Sequence, residues 1–334
     1  MSIQQQASGS RTSGQAQGGR IVWLDIGRAI GIVLVVYGHV VRGLFSSHIL
    51  ADPVWRQVDF AIYTFHMPLF FFLSGMNVRP SREKPGFFAR RARAIVLPYL
   101  VFSLLQGAVQ VVLAGSTNGN KGWADLLLIP IFPISPFWFL YVLLIYVGVV
   151  SVWRPGWPMM AVAAVLLLLS PLARDMDGWI LFQILYFFAF YVAGVLWQPP
   201  RLAAGPRALV GLGCLIVWAG GAGLALFAGV PVDGYYALVM LPVTLAGIGM
   251  VIMLAQMLEG VGGWLSYIGQ NVIAIYVMHI LAAAGTRIIL SGFGISSPAL
   301  LVVLGTMAGV VLPLIALVVM QRLKIARFAG LPQR

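Results

Sequence analysis

Long apolar runs, parted by short breaks that carry most of the charge, organise this chain from residue 21 to about residue 320. A helix rises 1.5 Å per residue, so roughly 20 apolar residues cross a bilayer core. Ten runs read as spans: about 21–44, 60–78, 94–114, 136–153, 157–173, 179–197, 207–229, 235–258, 264–290 and 298–320. A further stretch, 123–132, is apolar but short and is broken by Pro130 and Pro133, which makes it an interfacial or re-entrant piece. The pattern predicts an all-α, polytopic membrane helix bundle with about ten transmembrane helices. Residues 1–19 are rich in Gln, Ser and Gly and read as a disordered cytoplasmic tail. They are not a signal peptide, since no short apolar region with a cleavage site follows. The transmembrane domain is then 20–322, and 323–334 is a short basic cytoplasmic tail.

Composition narrows the class. With 60% hydrophobic residues, 9% charged and a mean hydropathy of +0.95, an ordinary soluble domain is excluded. A net charge of +12 would suggest nucleic acid, but the basic residues cluster in short loops and tails, so no nucleic-acid partner is expected. With ten spans both termini share one side. That side holds Arg11, Arg20, Arg79, Arg82, Lys84, Arg90, Arg91, Arg93, Arg154, Arg201, Arg207, Arg322, Lys324, Arg327 and Arg334, fifteen in all. The other side holds Arg42, Arg56, Lys121, Arg174 and Arg287, five in all, with Asp52, Asp59, Asp125, Asp175, Asp177 and Asp233 in the same loops. Fifteen against five puts both termini in the cytoplasm. One cysteine, Cys214, allows neither a disulfide framework nor a cysteine metal site. No internal repeat is evident, which weakens a transporter reading.

The first span carries the most telling polar residues. Arg28 and His39 are eleven steps apart, about three turns plus 20°, so they share one face roughly 16 Å apart along the axis. A guanidinium inside a bilayer must face protein or water, and Asp25, one turn away, is its first candidate partner. An imidazole at that depth suits proton transfer. The plainer alternative is an Arg–Asp pair that locks packing, with His39 bonded to a neighbouring helix. Counting along the spans puts His66 and His279 at a depth similar to His39, while His48 falls in an outer loop. No carboxylate joins the three at ligand spacing, so no metal is expected. For His66 and His279 a packing role stands beside a chemical one. Between spans two and three, residues 79–100 carry six basic residues and one acid. Arg90 and Arg93, three apart, share a helix face and suit a bidentate hold on phosphate. No nucleotide signature accompanies them, so an anionic ligand on the cytoplasmic side is the whole expectation.

The segments WLDIGRAIGIVLVVYGH, FHMPLFFFLSGM, RRARAIVLPY, FWFLYVLL and YIGQNVIAIYVMH, in that order, resemble the acyltransferase-3 family of integral membrane acyltransferases. Within it the wording is most like the fucose 4-O-acetylase-like members. The resemblance covers spans one to four and nine closely and the rest by topology. Its most specific element, an Arg and a His separated by ten residues, falls on Arg28 and His39, and an RxxR element falls on Arg90 and Arg93. Gly27-Arg28-Ala29 departs from a Leu-Arg-Gly-like wording but leaves the Arg in place. The resemblance implies an acyl-CoA-dependent O-acyltransferase of the bacterial inner membrane. It would move an acetyl or other short acyl group from cytoplasmic acetyl-CoA to a hydroxyl of a cell-surface glycan or its lipid-linked precursor. His39 would be the base, Arg28 with Asp25 would position the donor or polarise its carbonyl, and Arg90, Arg91 and Arg93 would bind the cofactor. Trp138, Asn271, Tyr276 and Ser74 match family-like positions but read equally well as packing or interfacial residues. Some members carry a fused extracytoplasmic domain, whereas this chain is expected to be a stand-alone form. The alternative function is a transporter of an anionic or sugar-linked substrate.

Overall fold

The computed structural model describes residues 21–112, 122–176, 178–197 and 199–333, so the expected N-terminal tail lies outside the described residues. All regular structure in the described residues is helical. In chain order the helices are α1 Val22–Ser46, α2 Pro53–Tyr63, α3 His66–Met76, α4 Arg79–Arg82, α5 Phe87–Val112, α6 Trp123–Leu127 and α7 Trp138–Val152. They continue with α8 Trp157–Asp175, α9 Trp179–Leu196, α10 Ala204–Phe227, α11 Leu241–Met257, α12 Gly263–Gln270, α13 Val272–Gly292 and α14 Pro298–Arg322. Nine stretches in the described residues are long and apolar enough to cross a membrane, counting α2 with α3 as one. The tenth expected span is α7, whose 15 residues extend roughly 22 Å. The protein is an all-α, multi-pass membrane bundle.

Two expected spans are broken, and each break has a cause. The second span begins earlier than its hydrophobicity suggests, at Pro53, where Asp52 caps α2 by accepting from the Val54 amide at 2.9 Å. It then breaks at Thr64–Phe65. Pro68 lacks the N–H that would bond the Thr64 carbonyl, and its ring crowds that oxygen. The Thr244 hydroxyl of α11 takes the Thr64 carbonyl instead, at 2.8 Å. Trp218 Nε1 of α10 donates to the Ala61 carbonyl at 3.0 Å, and His66 Nδ1 lies 3.0 Å from the Ile62 carbonyl. A helix break inside the bundle is tolerated because each exposed carbonyl finds such a donor.

The ninth expected span divides at Asn271 into α12 and α13. Here the Asn271 amide donates to the Tyr267 carbonyl at 2.8 Å. α12 leans on α1 so closely that a Cβ on Gly269 would overlap the Asp25 carbonyl. α1 is the hub of the bundle, packed against α2, α3, α11, α12, α13 and α14. α3 lies directly on α9, where a Cβ on Gly194 would fall on the Phe72 carbonyl. α10 turns large apolar side chains such as Leu209, Ile216 and Leu224 outward, the surface of a helix at the lipid edge.

Two connecting segments pack onto the bundle. The 123–132 stretch is α6 and a turn, fastened to α5 where the Tyr99 hydroxyl donates to the Ile129 carbonyl. Residues 323–333 lie against the helices. A 3-10 turn, Ala326–Ala329, packs on α5 and α14, Leu331 is buried, and Gln321 Nε2 donates to the Pro332 carbonyl at 2.8 Å.

Candidate active site

Arg28 lies in the second turn of α1, and its Nη1 donates to Asp25 Oδ1 at 2.9 Å. The carboxylate is almost wholly buried, which suits a paired charge rather than a free one. The Arg28 side chain borders a cavity of about 510 Å³ between α1, α3, α5, α7 and α13. Its polar lining includes Arg28, Ser74, Asn77 and Arg91; the rest is mainly apolar, including Phe70, Leu73, Leu140, Leu143 and Val147, with Tyr191 and Tyr276. Gly330, Leu331 and Pro332 of the docked C-terminal segment also line it.

Of the three arginines that open α5, only Arg91 reaches this cavity. It donates through Nη2 to the Asn77 carbonyl at 2.7 Å and to Ser81 Oγ at 2.9 Å. Arg90 and Arg93 are exposed, and Arg90 folds back onto the carbonyls of Pro85 and Lys84. Of the three arginines expected to bind the cofactor, Arg91 faces the cavity while Arg90 and Arg93 face away from it. Successive helix positions differ by 100°, so Arg91 points well away from both. A signal for this was present: Phe87, Ile95, Pro98 and Phe102 of α5 are buried at spacings of three, four and eight, and Arg91 falls on their face.

A second cavity, about 240 Å³, shares Val35, Met67 and Tyr276 with the first and holds His39, Arg42, Tyr63, His66, Trp138, Gln183, Tyr235 and Tyr236. A third of about 240 Å³ shares Trp179, Gln183, Tyr235 and Tyr236 with the second and adds Arg174 and Asp233. The three adjoin in order along the bundle. Because α1 is unbroken between them, Arg28 and His39 stand roughly 16 Å apart along the helix, one at each end of the apolar stretch.

Three of the four histidines converge at this second end. The rings of His39 and His279 have centroids 5.1 Å apart, and His66 lines the same cavity as His39. His66 packs edge-on against Tyr63 at 4.2 Å while its Nδ1 meets the Ile62 carbonyl. His66 therefore also serves the α2–α3 break. His279 is fully buried. His48 sits apart, in the turn after α1.

Sequence reasoning missed one charged pair here. The sequence places Arg42 at the outer end of the first span and Asp59 in an outer loop; both lie within helices, joined by a 2.9 Å ion pair, with Asp59 only 8% exposed. The Arg42 guanidinium also stacks over Tyr63, 3.3 Å from the ring centroid. Arg42 follows His39 by three positions and so shares its face, a readable signal. Asp59 was unreadable because its helix begins before the apolar run does. Trp138, at the start of α7, stacks on Phe187 at 5.5 Å and lines the His39 cavity. Asn271 spends its amide on the α12–α13 break rather than on a cavity wall. Among the described residues no three His, Cys, Asp or Glu are grouped to hold a metal ion.

The geometry is a chain of adjoining cavities, a mainly apolar one with guanidinium groups at one end and an aromatic, polar chamber with an imidazole cluster at the other. It suits a long donor that is charged at its far end and reactive at its tip. None of the curated proteins and none of the solved structures compared with the chain matches it. A family model described as an acyltransferase domain matches residues 21–318, which covers every membrane helix just described except the last turn of α14. On that match the chain belongs to the acyltransferase-3 family, and it is a membrane acyltransferase.

Proposed function

We propose that this protein moves an acetyl, or other short acyl, group from cytoplasmic acyl-CoA to a hydroxyl of a cell-surface glycan or its lipid-linked precursor. The likeness of its motifs to fucose 4-O-acetylase-like members favours acetyl-CoA and a sugar hydroxyl. The protein would lie in the bacterial inner membrane with both termini in the cytoplasm, so the Arg28 end of the passage faces the donor pool. The observation that carries this reading is the passage itself, with Arg28 and Arg91 at one end and His39 at the other. Arg91 and Arg28 would hold the phosphate-bearing part of CoA, with the exposed Arg90 and Arg93 drawing it in. The pantetheine arm, long and flexible, would lie along Leu140, Leu143 and Phe70 and carry the thioester to His39. At roughly 16 Å from His39, Arg28 is too distant to polarise that carbonyl, so its role here is to anchor the donor.

In the transfer step the acceptor hydroxyl attacks the thioester carbonyl while His39 takes its proton. The tetrahedral intermediate collapses, the carbon–sulfur bond breaks, and the His39 imidazolium returns the proton to the leaving sulfur. The products are an O-acyl ester and free CoA. Arg42, one turn along α1 from His39, adds a guanidinium to the same wall and favours the developing oxyanion. Membranes holding the protein, given acetyl-CoA with a labelled acetyl group, should place label on glycan. His39→Ala should abolish this while leaving the protein inserted, and normal labelling by a well-expressed variant would remove His39 from the chemistry. A transporter would also use cavities that adjoin across the bundle. Binding of acetyl-CoA separates the two readings, since a carrier has no use for a CoA anchor.

A further inference from the structure

His279 takes no part in the mechanism above, yet it touches the residue at its centre. Its Nδ1 lies 2.7 Å from the Tyr276 carbonyl. A carbonyl oxygen only accepts, so Nδ1 carries the hydrogen, and the neutral ring presents Nε2 as a bare lone pair. That Nε2 is buried and without a hydrogen-bond partner in the protein. A buried acceptor so placed costs free energy unless a donor reaches it.

Several neighbouring donors are already engaged, and the His39 ring is the one that packs on His279 from another helix. On α13 the Tyr276 hydroxyl is given to the Pro136 carbonyl. On α3 the His66 Nδ1 is taken by Ile62, and on α1 the Arg42 Nε is held by Asp59 of α2. Tyr63, Tyr235 and Tyr236 gather around the Arg42 side of the chamber. The ring in contact with His279 is His39, at 5.1 Å between centroids and 51° between planes. A centroid separation of 5.1 Å is within the range that an N–H···N bond between two imidazoles allows.

We propose that His279 is the positioning residue of His39: its Nε2 accepts one N–H of the His39 ring and leaves the other nitrogen bare toward the chamber. This repeats the general arrangement in which a base is oriented by a third group, with a neutral imidazole in place of a carboxylate. When His39 gains the acceptor's proton, its imidazolium keeps the same N–H on His279. When that proton passes to sulfur, both rings return to their starting form. The part of this that concerns catalysis rests on His39 being the base; the contact itself does not.

The test compares wild type with His279→Phe and His279→Gln, all embedded in membranes. Modification of His39 by diethyl pyrocarbonate, followed peptide by peptide against pH, reads its titration without donor or acceptor. Loss of an acceptor for the imidazolium N–H in the Phe variant should move the midpoint down by about one pH unit. Gln, whose amide oxygen accepts the same hydrogen, should restore most of the shift. Equal midpoints in all three overturn the proposal and leave His279 as packing. Should the Phe variant fail to insert, His279→Asn replaces it: a lowered midpoint for Asn but not Gln supports the contact, and equal midpoints reject it. In acetyl transfer the Phe variant should lose about tenfold in kcat with an unchanged KM for acetyl-CoA. A shifted midpoint with an unchanged kcat would keep the contact and refute His39 as the base.

Discussion

Arg91 should dominate donor binding, although the neighbouring Arg90 and Arg93 form the more conspicuous pair. Arg91→Ala removes a guanidinium that lines the large cavity and is aimed by the Asn77 carbonyl and Ser81 Oγ. A hydrogen bond to a charged group contributes about 1.5–3 kcal/mol, so losing one to a donor phosphate should weaken acetyl-CoA binding roughly 10- to 150-fold. Arg90 and Arg93 are solvent-exposed, where ionic contacts contribute about 0.2–1 kcal/mol, so each Ala variant should lose fivefold at most, on the order of that range. Their contribution should fade in high salt, while that of Arg91 persists, because screening acts mainly on exposed charge. Arg91→Lys should recover only part of the loss, since a point charge cannot reproduce the planar fork. Calorimetric titration of acetyl-CoA into nanodisc-embedded variants, at low and high salt, measures all four. The reasoning is refuted if Arg91→Ala binds like wild type, or if Arg90→Ala or Arg93→Ala costs more than Arg91→Ala.

Two further outcomes follow from the structure. Asp59→Ala strands the Arg42 guanidinium; with side chains 38% and 11% exposed, the loss should fall between the exposed and buried limits, at about 2 kcal/mol. Arg42→Met combined with Asp59→Ala should cost less than the sum of the single changes, and strictly additive losses in thermal unfolding would show that the pair is not coupled. In a Cys214→Ser background, single cysteines near Arg93 should react with an impermeant thiol reagent only from the cytoplasmic side, and those near His48 only from outside. Labelling of both from one side would overturn the orientation on which donor and acceptor faces are assigned.

The hydrophobic pattern determined much about this protein without help. Spans of apolar residues have no stable alternative to helices in lipid, so the bundle and the order of its helices follow from the chain alone. The shared face of Arg28 and His39 is likewise local geometry, since a continuous helix sets the angle between any two of its residues. Periodicity could not show where a span breaks. Pro68 is written in the sequence, but the break at Thr64 survives only because Thr244 and Trp218, more than 150 positions away along the chain, satisfy its carbonyls. At the division at Asn271 the Asn side chain turns back onto the Tyr267 carbonyl, while the close approach of Gly269 to Asp25 beside it is set by packing. The tertiary structure also decided which arginine of α5 enters the cavity, because burial depends on where α1, α3 and α7 stand around that helix. It joined Arg42 to Asp59, and it set His279 against His39 from opposite parts of the chain. A sequence states what each helix can offer on each face; only packing decides which faces meet.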